Sequence, residues 1–204
     1  MGKSADRVGS VFSTGFVERN DVFRRDVCLK VVRGCEYVPA SHGEEIDPAL
    51  YFFFDVTDSN IVIFPDTDEG SVARGDRVEM FFSADPDMKE YYCLEIDPSG
   101  KVLDYKASFY RDFDRDWDLR GLQTSGRITD KGYSVEVAIP VEWYRQTEIS
   151  SMRQGTRIIA GIYRGEFSRT RDGRIDQSWI SWQDPRTDKP DFHIPSALGF
   201  FTLD

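Results

Sequence analysis

The strongest indication of the fold is the segment Gly75-Asp76-Arg77-Val78-Glu79-Met80-Phe81-Phe82, followed shortly by Tyr91-Tyr92-Cys93-Leu94-Glu95-Ile96. Both are short runs rich in aromatic and aliphatic residues, and in an extended chain their alternate side chains can enter a core. The second run leads into Asp97-Pro98-Ser99-Gly100, whose residue types favour a tight turn. Short strands that end at turn residues are typical of an antiparallel β-sandwich.

The same pattern continues along the chain and predicts an all-β protein of about eleven strands. We expect residues 1–26 to be an irregular lead-in and residues 27–204 to form a single sandwich domain. The predicted strands are 27–32, 50–56, 61–64, 77–83, 91–97, 101–106, 125–129, 133–139, 157–164, 178–182 and 199–203.

One strand shows the clearest alternation, in the stretch Tyr133-Ser134-Val135-Glu136-Val137-Ala138-Ile139. Its odd-numbered residues should face the core, because successive side chains in a strand point to opposite faces. Asp130-Lys131-Gly132 before it and Asp97-Pro98-Ser99-Gly100 upstream predict two hairpin turns. Pro140 should end this strand and begin a single helical turn, with Trp143 as a lid on the core.

The composition excludes two classes of partner. The chain has 204 residues and a formal net charge of -10, which would repel a phosphate backbone, so we predict no nucleic acid binding. No stretch approaches the roughly 18 to 20 apolar residues that a membrane-spanning helix needs, so we predict no membrane span.

The cysteine and histidine residues do not form a recognisable zinc motif. Cys28, Cys35 and Cys93 lack CxxC spacing, and His42 and His193 are the only histidines. One disulfide with a free thiol and three separate thiols both fit the odd number. The polar N-terminus lacks the apolar stretch of a secretory signal, which fits a cytosolic protein or one whose signal has been removed.

Seven segments of the chain, in this order, resemble the family-nine carbohydrate-binding modules and their broader bacterial relatives. Such modules are found beside xylanases and in sugar-degrading systems. The segments are 49–56 (ALYFFFDV), 76–81 (DRVEMF), 91–100 (YYCLEIDPSG), 132–140 (GYSVEVAIP), 162–164 (IYR), 181–182 (SW) and 190–199 (PDFHIPSALG).

The resemblance implies a jelly-roll-like antiparallel β-sandwich that binds a mono- or oligosaccharide, often with structural calcium, and does no chemistry itself. It also implies a part in polysaccharide use, association with a glycan-degrading enzyme, and a secreted, periplasmic or cell-surface location after signal removal. In sugar-binding relatives, one aromatic just before the Asp-x-Val-Glu motif and another in the final loop enclose the sugar. Here the first position is Val72-Ala73-Arg74, which has no aromatic, whereas the second falls on Phe192 and His193 and the motif glutamate is Glu79.

A sugar site needs flat aromatic surface for the CH face of the ring and planar polar groups for its hydroxyls. We therefore expect Trp182, Phe192 or Trp117 to stack on the ring, beside His193. The polar partners in this hypothesis are Glu79, Glu95 and Arg164. Two alternatives stay open, because tryptophans in strands often pack in the core and the charged residues can form a structural ion-pair network.

Two acidic loops are candidate calcium sites, residues 65–70 and the run Asp112-x-Asp114-x-Asp116-x-Asp118. The second lacks the glycine and the bidentate glutamate of an EF-hand loop, and arginines within it offset its charge. A solvated loop is therefore the alternative at both places.

Two further functions must be weighed against sugar binding. Glu79 and Glu95 are the only carboxylate pair that we would nominate for glycoside hydrolysis, but no nucleophile motif or phosphate-binding glycine loop accompanies them. A structural or protein-interaction sandwich that has lost its sugar site is the other alternative, and the missing aromatic near Ala73 favours it.

Overall fold

The computed structural model describes residues 49–203, which are nearly all β. The predicted lead-in 1–26, the predicted strand 27–32, Cys28, Cys35 and His42 lie outside these residues. No helix between residues 49 and 203 is long and apolar enough to cross a membrane. The strands are β1 (Ala49–Thr57), β2 (Arg77–Ser83), β3 (Tyr91–Ile96), β4 (Val102–Ser108), β5 (Asp112–Asp114), β6 (Gln123–Ile128), β7 (Gly132–Pro140), β8 (Arg157–Arg169), β9 (Ile175–Ser181) and β10 (Gly199–Thr202), with helix α1 (Val141–Gln146) and 3-10 helices Glu69–Arg74 and Pro195–Ala197.

The strands form two antiparallel sheets. The smaller sheet has the order β1-β7-β6, and the larger has the order β10-β8-β2-β3-β4-β5. The long strand β8 pairs with β10 through its first residues and with β9 through its last. The prediction of an antiparallel β-sandwich is confirmed, whereas its jelly-roll connectivity stays a prediction.

The prediction of a strand at residues 61–64 is wrong. The amide of Val62 donates to Asp76 Oδ2 at 2.7 Å, and its carbonyl accepts the amide of Asp76 at 2.8 Å. The segment is thus a loop anchored to one aspartate rather than to a neighbouring strand. Conversely, the stretch between the predicted strands 101–106 and 125–129 contains β5, which pairs with β4 but is too short and too polar to show a strand pattern.

The main core lies between the two sheets. Val78, Met80 and Phe82 of β2 enter it from the larger sheet, where each is 0% exposed. The odd-numbered residues of β7 enter it from the smaller sheet, as the sequence predicted. Trp143 of α1 contacts Phe82 with ring centroids 5.7 Å apart, so its predicted role as a lid is confirmed.

The larger sheet is also buried on its other face. All seven residues of β2 are buried, since a second cluster that includes Phe81, Cys93 and Tyr163 packs beneath the loop 183–198. The Tyr163 hydroxyl donates to the Ala197 carbonyl at 2.9 Å and anchors that loop, and Cys93 is a buried free thiol. The alternate residues of β2, including Arg77 and Glu79, therefore lie under a loop rather than in open solvent.

The two faces of β1 provide a test of the sandwich. Phe54→Ala should destabilise the fold by about 3 to 5 kcal/mol, because Phe54 is 0% exposed in the main core. Tyr51→Ala, on the opposite face of the same strand and 38% exposed, should cost less than about 1 kcal/mol. Denaturant unfolding measures both, and equal losses would contradict the assigned faces.

Candidate functional site

Three charged residues form the floor of the candidate site. Glu79 on β2 lies directly opposite Glu95 on β3, and Arg77 precedes Glu79 by two residues on the same face. Arg77 Nη2 lies 3.0 Å from Glu79 Oε1, and Arg77 Nε donates to Glu95 Oε2 at 2.6 Å. One buried guanidinium thus holds two buried carboxylates.

The hydrogen bonds of this group are unevenly distributed. Glu95 Oε1 accepts the Tyr105 hydroxyl at 2.8 Å, and Arg77 Nη1 donates to the carbonyls of Ala73 and Gly75. Glu79 Oε1 is buried and has only its ion pair with Arg77, with no hydrogen bond of good geometry among the described residues. A buried acceptor in this state favours a ligand that brings a donor.

Burial and the nearby charge of Glu95 raise the pKa of Glu79, against the attraction of Arg77. Two carboxylates share one cation here, so ionising both leaves an excess negative charge away from water. The floor therefore retains a proton or accepts donors more readily than it accepts a further anion.

A cleft of about 190 Å³ opens above this floor. Its volume is below the roughly 300 to 1,000 Å³ of typical small-molecule sites, so it suits a single ring rather than a chain. The residues that line it are Arg77, Glu79, Glu95, Arg111, Trp179, Pro190, Phe192 and His193.

Trp179 forms the aromatic wall. It lies opposite Gly165 in the β8–β9 pair, and a Cβ on that glycine would lie only 2.8 Å from Arg77 Nη1. The absence of a side chain at Gly165 lets the Arg77 guanidinium approach to 5.1 Å from the Trp179 ring centroid. Trp179 remains 37% exposed, so part of its ring is available to a ligand.

The loop 183–198 forms the opposite wall. Phe192 stacks on Tyr163 with ring centroids 4.1 Å apart and an angle of 9° between the planes, and it meets Trp179 edge-on. His193 Nδ1 lies 3.0 Å from the Tyr91 hydroxyl. Burial, with the charge of Arg111, lowers the pKa of His193 to about 3, so this ring is neutral at ordinary pH.

A salt bridge joins this loop to the turn between β4 and β5. Arg111 Nη2 donates to Asp191 Oδ1 at 2.7 Å, and the Tyr110 hydroxyl donates to Asp191 Oδ2 at 2.5 Å. Arg111 Nε also donates to the Tyr110 hydroxyl at 3.1 Å, so Arg111 is held where it lines the cleft. Two segments that are distant in sequence thereby form one rim.

The structure brings together four of the seven residues predicted for the site: Glu79, Glu95, Phe192 and His193. It places Trp117 and Trp182 against the main core instead. Trp117 packs on Tyr92 with ring centroids 5.0 Å apart. Trp182 lies an odd number of residues after Trp179, so in an extended chain its side chain points to the opposite face of the sheet. It packs against the core between the sheets.

Arg164 also lies on the opposite face of the larger sheet from Glu79. It is paired with Val78 in the β2–β8 register and is 1% exposed at the end of the main core. Its Nη2 contacts Asp58 at 2.7 Å, Asp76 at 3.2 Å and also Glu166. This geometry corresponds to the structural ion-pair alternative and does not bring Arg164 to the cleft.

The three carboxylates around Arg164 resemble a cation site, with ligand oxygens within 4.8 Å of one another. They do not fit a metal ion, because the guanidinium of Arg164 already occupies the position between them. Burial raises the pKa of Asp76 to about 7 even in the presence of that guanidinium.

The two acidic loops predicted for calcium carry cationic partners of their own. Asp66 pairs with Arg74, and Asp114 lies 3.9 Å from Lys106. Structural calcium stays a prediction at both.

Arg77, Arg111 and Trp179 line the cleft but were not predicted. The alternation of β2 places Arg77 on the face of Glu79, which was a usable signal. The opposite parity of Trp179 and Trp182 was another, but choosing between them required the strand register. Nothing in the sequence indicated that the β4–β5 turn would bring Arg111 to Asp191.

Residues 46–204 match the family model described as carbohydrate family 9 binding domain-like. The chain belongs to this family. Carbohydrate family 9 domains are binding modules rather than enzymes, so membership supports carbohydrate binding in general and confirms the resemblance noted in the sequence.

One similar solved structure is the crystal structure of a provisionally assigned carbohydrate-binding protein from Bacteroides uniformis ATCC 8492. It superposes with a TM-score of 0.61 at 18% sequence identity, over 78% of this chain and 74% of the other. At that identity the similarity supports the fold alone. No curated protein matches this family 9 chain significantly.

The raised pKa of Glu79 predicts a pH dependence of stability. The unfolded chain releases this proton near the ordinary pKa of 4.5, while the folded chain retains it, so the stabilisation is complete below pH 4.5 and is lost as pH rises. The buried neutral His193 has the opposite effect, but only below about its ordinary pKa of 6.5. We therefore expect stability to fall between pH 6.5 and 8.

Glu79→Gln should flatten this decline by about 1 kcal/mol in urea unfolding, since it removes one titrating carboxyl. Asp76 still titrates in the variant and leaves a residual slope. Glu142→Gln, on the exposed face of α1, is the matched control and should leave the slope unchanged. An unaltered slope in Glu79→Gln would show that Glu79 does not titrate in this range.

Proposed function

We propose that this chain binds one sugar ring in the cleft above Arg77, Glu79 and Glu95 and does not catalyse its conversion. The observation that supports this most is a buried charged floor, in which Glu79 Oε1 contacts Arg77 alone among the described residues, lying beside a half-exposed tryptophan. A pyranose has a matching construction, with an apolar CH face and a rim of hydroxyl donors. Family membership supports the same ligand class.

In this proposal Trp179 takes the aromatic role that residues 72–74 cannot. The Ala73 carbonyl accepts a hydrogen bond from Arg77, so this stretch lies close to the floor and yet offers no ring. Trp179 approaches the same guanidinium from β9. The sugar face stacks on Trp179, and its hydroxyls bond Glu79, Glu95 and the two arginines of the cleft.

The two glutamates are arranged for binding rather than hydrolysis. Glycosidases place their carboxyl groups on either side of the scissile bond, roughly 5 to 10 Å apart, with separate roles. Here both carboxylates come from directly opposed residues and contact the same guanidinium. Both carboxyl groups are thus directed at Arg77, which favours a shared role in binding over the separate acid and base roles of hydrolysis.

We further propose that the domain serves polysaccharide use outside the cytoplasm, in association with a glycan-degrading enzyme. This context follows from the family resemblance alone. A non-catalytic module with a one-ring cleft is useful where it holds an enzyme near its substrate.

The test is the melting temperature of the chain with glucose, xylose, mannose or galactose at millimolar concentration, with and without calcium. A ligand that binds only the native state raises the melting temperature. We expect one sugar class to raise it. Calorimetric titration should then show that Trp179→Ala binds this sugar with about tenfold lower affinity than the wild-type chain. Glu79→Ala should also weaken binding, because it removes the buried carboxyl group that bonds the sugar hydroxyls.

Phe200→Ala is the control for Trp179→Ala, since Phe200 is an aromatic of 47% exposure on β10 that does not line the cleft. Sugar binding that survives Trp179→Ala unchanged would remove the cleft from the proposal. A flat response to every sugar would favour a protein-interaction sandwich. A calcium-dependent rise in melting temperature would support structural calcium independently of the sugar result.

A further inference from the structure

Two aromatic side chains are exposed at the turn between β4 and β5. Phe109 is 53% exposed and Tyr110 is 52% exposed, and their rings meet edge-on with centroids 5.4 Å apart. Large aromatics are normally buried, so two adjacent half-exposed rings at a loop tip mark a candidate contact surface.

This pair is held in place rather than freely projecting. The Phe109 amide donates to the Met88 carbonyl at 3.0 Å. The Tyr110 hydroxyl donates to Asp191, and the Arg111 guanidinium lies 5.4 Å from the Tyr110 ring centroid. Rigid aromatic surface loses little conformational entropy on binding, which favours recognition.

The pair is also continuous with the cleft. Arg111 lines the cleft and its guanidinium also contacts the Tyr110 ring, so the aromatic surface adjoins the cleft wall. The cleft of about 190 Å³ suits one sugar ring. A longer saccharide whose end filled the cleft would have to leave it over the rim.

We propose that Phe109 and Tyr110 form an outer subsite for the sugar units next to the one in the cleft, and so give the domain a preference for chains over free monosaccharides. The proposal rests on the proposed sugar binding in the cleft. The aromatic faces take the apolar side of the next ring, and Asp191 and Arg111 at the rim offer hydrogen-bonding groups for its hydroxyls.

The experiment is calorimetric titration with gluco-, xylo-, manno- and galacto-saccharides of one to four units. In the wild-type chain we expect affinity for the recognised series to rise about three- to tenfold from the monosaccharide to the longer chains. Phe109→Ser should abolish that rise and leave monosaccharide affinity unchanged, since Phe109 does not line the cleft. Phe200→Ser is the matched control, of similar exposure and outside the cleft lining.

The outcomes separate this inference from the proposed function. Monosaccharide binding without any dependence on chain length, or an equal response of Phe109→Ser and Phe200→Ser, would overturn the outer subsite and leave the cleft intact. Failure of every saccharide to bind would overturn both. A change of oligomeric state in Phe109→Ser by size-exclusion chromatography, with chain-length dependence retained, would assign the pair to protein contact instead.

Discussion

A guanidinium buried between two carboxylates is the interaction on which the candidate site depends. Glu79 and Glu95 face each other directly across two strands, where like charges repel, and Arg77 makes their common burial tolerable. Placing Arg77 there requires a bare Gly165 on the next strand and carbonyls of Ala73 and Gly75 turned inward. The same gap at Gly165 allows Trp179 to approach, so the charged floor and the aromatic wall share one cause.

Such a floor is costly to bury, and hydrophobic residues in its place would often be as stable or more so. Burial of this charged group is therefore better explained by recognition than by stability. The neutral His193 and the stack of Phe192 on Tyr163 form an uncharged wall beside it. A ligand that covered this wall and the floor would exclude water and so strengthen each hydrogen bond that it made to the carboxyl groups.

A second buried arginine in the same sheet has a different role. Arg164 points to the opposite face from Arg77 and closes one end of the main core through Asp58, Asp76 and the Tyr133 hydroxyl. Asp76 in turn accepts the amides of Val62 and Phe167, so this group ties a loop and the end of β8 to β2. The two arginines lie on adjacent strands, and the sheet face that each occupies places Arg77 at the candidate site and Arg164 in a structural ion-pair network.

The sequence predicted the sheet residues better than the site, and the reason is physical. Alternation within a strand is a local property, so β2, β3 and β7 were found with nearly their observed bounds, as were the hairpin turns before β4 and β7. The meeting of Glu79 with Glu95, and of Trp179 with Arg77, depends on the register between strands, which alternation does not specify. Arg164 and Trp182 were assigned to the site because their faces could not be known. β5 and the Arg111–Asp191 contact depend on tertiary packing of polar residues, which leaves no periodic signal.

The location of the sugar site can be tested with the indole N–H resonances of the four tryptophans, assigned by single Trp→Phe variants. Titration with the sugar that raises the melting temperature should move the Trp179 resonance and leave those of Trp143 and Trp182 nearly unchanged, because these two pack against the main core on the opposite face of the larger sheet. Saturable movement of Trp117 or Trp182 with a static Trp179 would contradict the account and locate sugar binding elsewhere on the domain.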